Sequence, residues 1–365
     1  MWYERMDLED WFDTYQFAVD YDVGESAVKF LTLGDLGMDL TSVALRYGHH
    51  KGLPELREVL ANDYEGLSAD DVIVTAGGSE ANFAIVSALV KPGDHVVVEH
   101  PNYPSLYEVP RSLGCDVALF RLRRENAFKP DWDELERLIT PKTKLISLTH
   151  PNNPTGSMID TAEFERAVSI AESYGVYLLF DETYRELSYG EQLPGAGASS
   201  PHVISLSSMS KSYGLPGIRI GWLATRSAEV RDAVLAIREQ VTITNSALGE
   251  QIAFSVLKRK TEFIDRARTH VQQNFEIVRT WMATQEALDW IEPGAGVVGF
   301  PWIVDSRIDP EEIYTRLVKE YRSFVIPGRC FEMDNAHFRL GYGGAKDELQ
   351  IGLVNIGNAI ADSLD

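Results

Sequence analysis

Six short apolar runs alternate with segments of helical periodicity, and this alternation constrains the fold of the chain more than any other feature. The runs are typical of buried β-strands and occupy residues 72–75, 96–98, 117–120, 145–148, 176–180 and 203–206. Helical spacing of apolar side chains occurs between them, at residues 80–90, 105–113, 132–139 and 161–174. Strands that alternate with helices favour parallel βαβ units, so the sequence predicts an α/β fold.

A longer amphipathic stretch, residues 261–284, predicts the helix that joins this α/β unit to a second one. Pro293 and the glycine after it interrupt the pattern and mark the return of the chain. Beyond them, the sequence predicts one helix at residues 309–321 and two strands at residues 324–327 and 337–340. These segments predict a compact sheet packed on helices near the C-terminus.

A turn rich in small residues follows the strand-like run at residues 203–206. Its sequence, Ser-Met-Ser-Lys-Ser-Tyr-Gly-Leu-Pro-Gly-Ile-Arg at residues 208–219, contains one lysine, Lys211, and one arginine, Arg219. A lysine placed there can form a Schiff base, and hydroxyl groups with an arginine can bind a phosphate. Because most lysines are solvated surface residues, this interpretation depends on two further segments.

Two other strand-like runs also lead into polar residues. The run at residues 176–180 is followed by Asp181 and then Tyr184, a carboxylate and a phenol. The run at residues 145–148 leads into His-Pro-Asn-Asn-Pro-Thr-Gly, a turn that can present the amide of Asn153. Open α/β sheets bind ligands at the carboxyl ends of their parallel strands, so these side chains predict a site there.

Three motifs, Asn-Asn-Pro-Thr-Gly at residues 152–156, Asp-Glu-Thr-Tyr at 181–184 and Ser-Met-Ser-Lys at 208–211, resemble in this order the class I and II aminotransferases. These are fold-type I enzymes that depend on pyridoxal 5′-phosphate (PLP). Further matches to the family extend over nearly the whole chain, at Tyr47-Gly48, Gly52, Leu56-Arg57, residues 77–80, Tyr103 and Arg339. The resemblance implies PLP as the cofactor.

The resemblance also implies the architecture of the chain. It implies an α/β fold of the fold-type I PLP-dependent transferases, with a mostly parallel seven-stranded sheet between helices in the large domain. That domain is predicted at residues 41–285, and a smaller α/β C-terminal domain at residues 286–365. The N-terminal segment, residues 1–40, is expected to pack with the small domain.

The catalytic residues are implied in the same way. Lys211 would form the Schiff base with PLP and move the proton between the substrate Cα and C4′ of the cofactor. Asp181 would pair with the pyridinium nitrogen and keep it protonated, so that the ring can accept electrons. Tyr184 and Asn153 would hydrogen-bond the ring O3′, and Tyr103 would stack on the ring.

Phosphate binding requires backbone N–H groups at a helix start, together with hydroxyl and cationic side chains. The residues that precede the helix-like segment at 80–90 are Gly77, Gly78 and Ser79. By resemblance, Ser208 and Arg219 would supply the hydroxyl and the guanidinium, and Tyr47 would reach the phosphate from the neighbouring subunit. A homodimer with shared active sites is therefore implied.

Substrate binding is implied for three residues. Arg339 matches the C-terminal arginine that binds the α-carboxylate, to which a planar guanidinium can donate two parallel hydrogen bonds. Asn153 is expected to contact the substrate as well. Gly34 matches the small residue whose backbone borders the substrate, although Gly-Asp-Leu stands here in place of the usual Gly-Glu-Pro. We identify no arginine that would hold a second carboxylate of the substrate from the partner subunit.

The chain has 55 acidic and 34 basic residues, which gives a formal net charge of −21. This excess argues against binding to nucleic acid or to an anionic membrane. It fits a solvated acidic surface, and it also fits acids that steer a cationic substrate, for example near Asp35, Asp39 or Glu80. The N-terminus lacks the features of a signal peptide and two cysteines provide no disulfide framework, so a cytoplasmic location is expected. No metal site is expected.

Three functions fit these residues. The leading hypothesis is a PLP-dependent aminotransferase that moves an amino group from an L-amino acid to a 2-oxo acid. The alternative is β-elimination, replacement or cyclisation of a (hydroxy)arginine-like amino acid, because parts of the sequence resemble the branch of the family that includes capreomycidine synthase. The third is a PLP-binding protein without catalysis, which the complete set of site residues disfavours.

Overall fold

The computed structural model describes residues 3–364. The α-helices in this range are α1 (Asp7–Tyr15), α2 (Leu33–Leu36), α3 (Pro54–Ala61), α4 (Gly78–Leu89), α5 (Ser105–Ser112), α6 (Trp132–Leu138), α7 (Thr161–Tyr174), α8 (Ala228–Val241), α9 (Ala247–Leu257), α10 (Lys260–Met282), α11 (Pro310–Lys319) and α12 (Lys346–Asp362). The β-strands are β1 (Tyr21–Asp22), β2 (Val72–Thr75), β3 (His95–His100), β4 (Asp116–Arg121), β5 (Thr143–Thr149), β6 (Tyr177–Asp181), β7 (Val203–Ser208), β8 (Gly221–Ala224), β9 (Leu288–Asp289), β10 (Val298–Gly299), β11 (Trp302–Ile303), β12 (Ser323–Phe324), β13 (Ile326–Pro327) and β14 (Phe338–Gly341). Within the described range, no helix combines the length and the apolar character needed to cross a membrane.

Seven strands form the central sheet in the order β2-β8-β7-β6-β5-β3-β4. Neighbouring strands from β7 to β4 pair in parallel, whereas β8 pairs antiparallel with both β7 and β2. The six strand-like runs of the sequence correspond to six of these strands, and β8 is the seventh. The predicted fold, a mostly parallel seven-stranded sheet between helices, is confirmed.

Helices cover both faces of the central sheet because its strands are apolar on both sides. Val96 and Val98 of β3 pack on one face with residues of α4, α5 and α8. Val97, between them, packs on the opposite face with residues of α6 and α7. Successive side chains of a strand point to opposite faces, so a continuous apolar run supplies core residues to both layers.

A further core joins the two ends of the chain. Leu8 and Trp11 of α1 pack there with residues of α10, α11 and α12. Close by, β1 runs parallel to β12, with Tyr21 paired to Ser323, and β10, β14 and β13 form an antiparallel sheet. The N-terminal helix therefore shares a core with the C-terminal third of the chain, while the domain boundaries at residues 40 and 285 stay predictions.

The strand predicted at residues 324–327 is in fact two strands. β12 pairs with β1 and β13 pairs with β14, so the chain changes its partner at Val325. The carbonyl oxygen of Val325 accepts a 2.9 Å hydrogen bond from Nε1 of Trp11, which lies 314 residues away in sequence. Local periodicity could not predict this break, because the strands and the helix that pair or bond with residues 323–327 are distant in sequence.

Replacing Gly341 by alanine is expected to lower the stability of the protein. A Cβ atom at this position would lie 2.0 Å from the carbonyl oxygen of Glu25, so the N-terminal segment would have to move away from β14. Such overpacking costs about 1–3 kcal/mol of the free energy of unfolding. The measurement is the midpoint of thermal or urea unfolding.

Gly344→Ala is the matched control for this substitution. A Cβ atom at Gly344 has no neighbour within 4 Å in the part of the chain that the structure describes, so its midpoint should stay near that of the wild type. Equal midpoints for the two variants would contradict the close contact between β14 and the N-terminal segment.

Candidate active site

A cavity of about 440 Å³ lies at the carboxyl ends of the parallel strands β5, β6 and β7. The last residues of these strands, Thr149, Asp181 and Ser208, all line it. Ten residues that the sequence analysis singled out lie on its wall: Gly78, Ser79, Tyr103, Asn153, Asp181, Tyr184, Ser208, Lys211, Arg219 and Arg339. Distant parts of the chain meet here because parallel strands place their carboxyl ends along one edge of the sheet.

Lys211 lies on the cavity wall shortly after β7. Its Nζ donates hydrogen bonds to Oε1 of Glu25, at 3.2 Å, and to Oγ of Ser26, at 3.0 Å. Burial alone would lower the pKa of this amine, but the attraction of the Glu25 carboxylate outweighs it, and the pKa of Lys211 is raised. The N-terminal segment therefore sets the position of the Lys211 ammonium group.

Asp181 ends β6 and presents its carboxylate to the cavity. Its Oδ1 accepts a 3.0 Å hydrogen bond from the backbone N–H of Thr183. Burial disfavours the charged carboxylate and raises the pKa of Asp181 to about 6, although the hydrogen bonds from Thr183 oppose this shift. A cationic group of a ligand would relieve this cost, because it would stabilise the ionised carboxylate.

Arg339 of β14 is 1% exposed. Its Nε and Nη2 donate hydrogen bonds to the carbonyl oxygen of Gly24, at 3.1 and 2.8 Å, and its Nη1 donates to Oδ1 of Asn153, at 3.1 Å. The ring centres of Phe12 and Phe331 lie 5.8 and 5.5 Å from its guanidinium carbon. These contacts hold the planar group in place on the cavity wall, where it can bind a carboxylate with two parallel hydrogen bonds.

The N-terminal segment of residues 24–26 was not singled out from the sequence, although it contacts three predicted site residues. It bonds to Lys211 and to Arg339, and the carbonyl oxygen of Ser26 accepts a 2.8 Å hydrogen bond from the hydroxyl of Tyr184. Burial raises the pKa of Tyr184, so the phenol stays protonated and remains a donor. Residues 24–26 are therefore part of the site.

The structure does not place Gly34 at the cavity, and the prediction for this residue has to be corrected. Gly34 lies in the short helix α2, where Thr32 and Asp35 form a capping box, and it is exposed. Gly24 is the glycine that contacts Arg339. The sequence did hold a signal for this, because Gly-Glu-Ser at position 24 matches the usual Gly-Glu-Pro at two residues, whereas Gly-Asp-Leu at position 34 matches it at one.

The start of α4 provides the features of an anion site. Gly77, just before the helix, has a φ of +89°, and a Cβ atom there would lie 2.4 Å from Nη2 of Arg219. Only glycine allows this turn to lie so close to the guanidinium. Ser79 in the first turn of α4 and Ser208 at the end of β7 line the same cavity. Backbone N–H groups, two hydroxyls and a guanidinium are the groups that bind a phosphate.

Two tyrosines predicted to bind the cofactor lie in different surroundings. Tyr103 lines the cavity, and its hydroxyl donates a 2.8 Å hydrogen bond to Oε1 of Glu9 in α1. Its stacking on PLP stays a prediction. Tyr47 is 82% exposed and borders a separate cleft with His49, so it does not reach the cavity of its own chain. Its contact with the phosphate of a second subunit also stays a prediction.

The acidic residues of the cavity differ from those suggested by the sequence. Oε1 of Glu80 lies 3.3 Å from Nε of Arg238, and Asp35 and Asp39 accept hydrogen bonds from local turns. Besides Asp181, the carboxylates on the wall within residues 3–364 are those of Glu9, Asp13 and Glu25. The sequence could not reveal Glu9 and Asp13, because α1 is brought to the cavity by its packing on the C-terminal part of the chain.

The family described as aminotransferase class I and II matches residues 21–356, so the chain belongs to this family of PLP-dependent, fold-type I enzymes. It is 30% identical over 360 residues to capreomycidine synthase of Streptomyces vinaceus. The matched region covers 96% of this chain and 92% of that protein. A PLP-dependent aminotransferase from Streptococcus suis is similar in structure, with a TM-score of 0.94, 30% identity and 99% of both chains covered. The PLP-dependent cyclase OrfR has a TM-score of 0.91 and 27% identity, covering 99% of this chain and 98% of that one.

The cofactor is pyridoxal 5′-phosphate, and the residues of the cavity fit it. Oγ1 of Thr149 and Nδ2 of Asn102 are buried on the cavity wall, and neither has a hydrogen-bond partner among residues 3–364. Such atoms are available to a ligand. The start of α4 with Arg219 suits the phosphate, Asp181 suits the ring nitrogen, and Lys211 provides an amine for the aldehyde.

Binding of PLP to the apoprotein is expected to weaken as the pH falls below about 6, where Asp181 becomes protonated. The ionised carboxylate attracts a protonated ring nitrogen, so protonation of the carboxyl removes that attraction. The measurement is a fluorescence titration of the apoprotein with PLP at several pH values on both sides of this pKa.

The Asp181→Asn variant distinguishes the titration of Asp181 from the titration of other groups that affect PLP binding. The variant should bind PLP about tenfold more weakly at neutral pH, which corresponds to the loss of one charge interaction of modest strength. It should also lose the part of the pH dependence that belongs to Asp181. An unchanged pH profile in the variant would show that another group pairs with the ring nitrogen.

Proposed function

We propose that the protein is an aminotransferase that moves an amino group from an L-amino acid to a 2-oxo acid. The observation that supports this most directly is that an amine, a carboxylate and a guanidinium, those of Lys211, Asp181 and Arg339, line one cavity. Membership of the family implies amino-acid and 2-oxo-acid substrates. Chemistry at the Cα of an amino acid needs each of these groups, for proton transfer, for stabilisation of the ring and for orientation.

When bound, PLP supplies an aldehyde that condenses with amines and a ring that accepts electrons from the substrate Cα. Lys211 would act as the base, because its Nζ as a free amine could take the proton from the substrate Cα, and the Glu25 carboxylate beside it would stabilise the ammonium that forms. Glu25 and Ser26, at 3.2 and 3.0 Å, are positioned to hold the amine whenever it is not bonded to the cofactor. They keep the base beside the atoms between which the proton moves.

Arg339 orients the substrate through its α-carboxylate. Two of its N–H groups donate to the carbonyl oxygen of Gly24, and a third donates to Asn153. Three of the five N–H groups are used in this way, so one N–H on Nη1 and one on Nη2 remain for the carboxylate. Phe12 and Phe331 exclude water from the faces of the guanidinium.

A second candidate is β-elimination, replacement or cyclisation of a (hydroxy)arginine-like amino acid. It is supported by the carboxylates of Glu9, Asp13 and Glu25 on the cavity wall, which suit a cationic side chain. The similarity to capreomycidine synthase and to the cyclase OrfR favours the same reaction class. Both candidates begin with removal of the Cα proton, and they differ in whether C4′ receives a proton or a group leaves Cβ.

The two candidates are separated by mixing the holoenzyme with single amino acids, including arginine and its hydroxylated form. Transamination predicts that the absorption spectrum changes to that of the aminated cofactor while an equimolar amount of 2-oxo acid is released. Elimination or cyclisation predicts that the original spectrum returns while water, ammonia or another β-substituent is lost. No reaction with any amino acid would contradict both candidates.

Lys211→Ala is expected to slow either reaction by at least about a hundredfold, because positioned acid–base catalysis contributes a factor of this order. The measurement is the rate of the spectral change after mixing with a reactive amino acid. Lys319→Ala, at the exposed end of α11, removes a lysine away from the cavity and should leave the rate unchanged. Wild-type rates in Lys211→Ala would show that another group moves the Cα proton.

We propose further that the protein is a homodimer with shared active sites. Leu45 and Tyr47 are 80% and 82% exposed, and exposed clusters of such side chains usually mark an interaction surface. Tyr47 borders a cleft that Arg46 and Glu250 also line. The family resemblance assigns this tyrosine to the phosphate of the neighbouring subunit, which requires a surface position of the kind observed.

Tyr47→Phe is expected to weaken PLP binding about tenfold without changing the mass of the protein in solution, because one hydrogen bond to a charged phosphate is lost. The measurements are titration of the apoprotein with PLP and light scattering. Tyr174→Phe is the control, because Tyr174 is a 48% exposed tyrosine at the end of α7. A monomeric wild type, or the same PLP affinity in both variants, would contradict the shared site.

A further inference from the structure

The proposed function uses every cation on the wall of the active-site cavity. Within residues 3–364, these cations are Lys211, Arg219 and Arg339. Arg219 is assigned to the phosphate, Arg339 to the α-carboxylate of the substrate, and Lys211 to the aldehyde and the Cα proton. No described lysine or arginine of this wall remains for a carboxylate at the end of a substrate side chain.

Not every carboxylate of the same cavity wall is assigned to the cofactor or paired with a cation. Asp181 is assigned to the ring nitrogen, and the charge of Glu25 is compensated by Arg339 as well as by Lys211, so it stays partly compensated when Lys211 reacts with the cofactor. Glu9 accepts a hydrogen bond from the neutral hydroxyl of Tyr103 through Oε1, and its Oε2 has no donor within residues 3–364. Asp13 pairs with Arg5 at 2.6 Å, in an exposed position. Glu9 is therefore the acid whose charge is least compensated.

Glu9 lies one helical turn from Phe12, whose ring contacts the guanidinium proposed to hold the substrate carboxylate. Phe12 follows Glu9 by three residues on α1, so the two side chains lie on neighbouring turns of one helix face, about 4.5 Å apart along the axis. The ring of Phe12 covers the guanidinium of Arg339 at 5.8 Å. A side chain of three or four methylene groups could therefore extend along α1 from Arg339 to Glu9.

Asn82 provides a second and independent indication of a hydrogen-bond donor in the ligand. It is 2% exposed and lines the cavity one turn beyond Ser79 in α4. Its Nδ2 donates to the carbonyl oxygen and to Oγ of Ser105, which fixes the orientation of the amide. Oδ1 is then a buried acceptor without a donor among residues 3–364. An acceptor does not suit a phosphate, but it does suit a cationic N–H group.

From these observations we infer that the cavity takes an amino acid whose side chain ends in a cation, a guanidinium or an ammonium, and that Glu9 and Asn82 bind that end. The inference rests on the proposed function, because it assumes that Arg339 holds the substrate carboxylate. It applies equally to amino transfer and to cyclisation. Glu9 is thus the residue of α1 that determines specificity, while Oε1 keeps its bond to Tyr103.

The test uses carboxylic acids that lack the α-amino group and therefore bind without reacting. They are 5-guanidinopentanoate, which is arginine without its α-amine, heptanoate as an uncharged chain of similar length, and adipate as a dicarboxylate. Dissociation constants for the PLP-loaded enzyme are measured by calorimetry. We expect 5-guanidinopentanoate to bind at least about tenfold more tightly than the other two, as one partly buried ion pair would provide.

Three variants connect this preference to Glu9. Glu9→Gln should weaken 5-guanidinopentanoate about tenfold and change heptanoate less than about twofold, because the amide oxygen can still accept from Tyr103. Glu9→Lys should reverse the preference in favour of adipate. Asp10→Asn is the matched control, since Asp10 is the next residue of α1, has the same charge, pairs with Arg5 and does not line the cavity. It should leave all three dissociation constants unchanged.

The inference is overturned if heptanoate or adipate binds the wild type as tightly as 5-guanidinopentanoate does, or if Glu9→Gln weakens heptanoate to the same extent. Failure of the proposed function is seen separately, in the reaction with amino acids. An enzyme that converts norleucine or glutamate as readily as arginine and shows no preference for the guanidino acid would retain the proposed function and lose this inference. An enzyme that prefers the guanidino acid but converts no amino acid would retain this inference and lose the proposed function.

Discussion

The hydrogen bonds between residues 24–26 and three side chains of the cavity are the interaction on which the site depends. They join the N-terminal segment to Lys211 after β7, to Tyr184 after β6 and to Arg339 in β14. The segment fits here because Gly341 and Gly343 have no side chains that would meet the backbone of Glu25 and Ala27. One short stretch of extended chain therefore sets the relative positions of groups that come from both the central sheet and the C-terminal sheet.

Burial gives these groups their chemical character. It raises the pKa of Asp181 to about 6, whereas the charges of Lys211 and Arg339 overcome the same effect and hold the pKa of Glu25 below its ordinary value. The Glu25 carboxylate in turn raises the pKa of Lys211 against the opposing effect of burial. Buried charges are costly unless opposite charges lie beside them. Because the cavity wall carries both cations and carboxylates, it suits a ligand with separate anionic and cationic groups. A phosphate at α4 and a protonated ring nitrogen at Asp181 satisfy this requirement, and so does a substrate with a cationic side chain at Glu9.

Much of the fold was predictable because strand and helix patterns are local. The runs at residues 72–75 and 203–206 became β2 and β7, and the helix predicted at residues 161–174 is α7 with the same bounds. β8 was missed because its sequence, Gly-Trp-Leu-Ala, begins with a glycine and contains no β-branched residue, unlike the Val- and Ile-rich run of β2. The break at Val325 was missed because β12 pairs with β1, at the opposite end of the chain, while β13 pairs with β14.

By itself, the sequence predicted which residues carry the chemistry, because Asp181 ends a strand and Asn153 and Lys211 follow strands whose apolar runs can be recognised in the chain. Parallel strands bring their carboxyl ends together, so the convergence of these residues follows from the strand pattern alone. The Gly-Glu-Ser motif was a signal for Gly24 in the sequence, but only the tertiary structure decided that Gly24 contacts Arg339 and that Glu9 faces the cavity. These positions result from the packing of α1 and the N-terminal segment against the C-terminal part of the chain, and contacts between residues so far apart leave no trace in local periodicity.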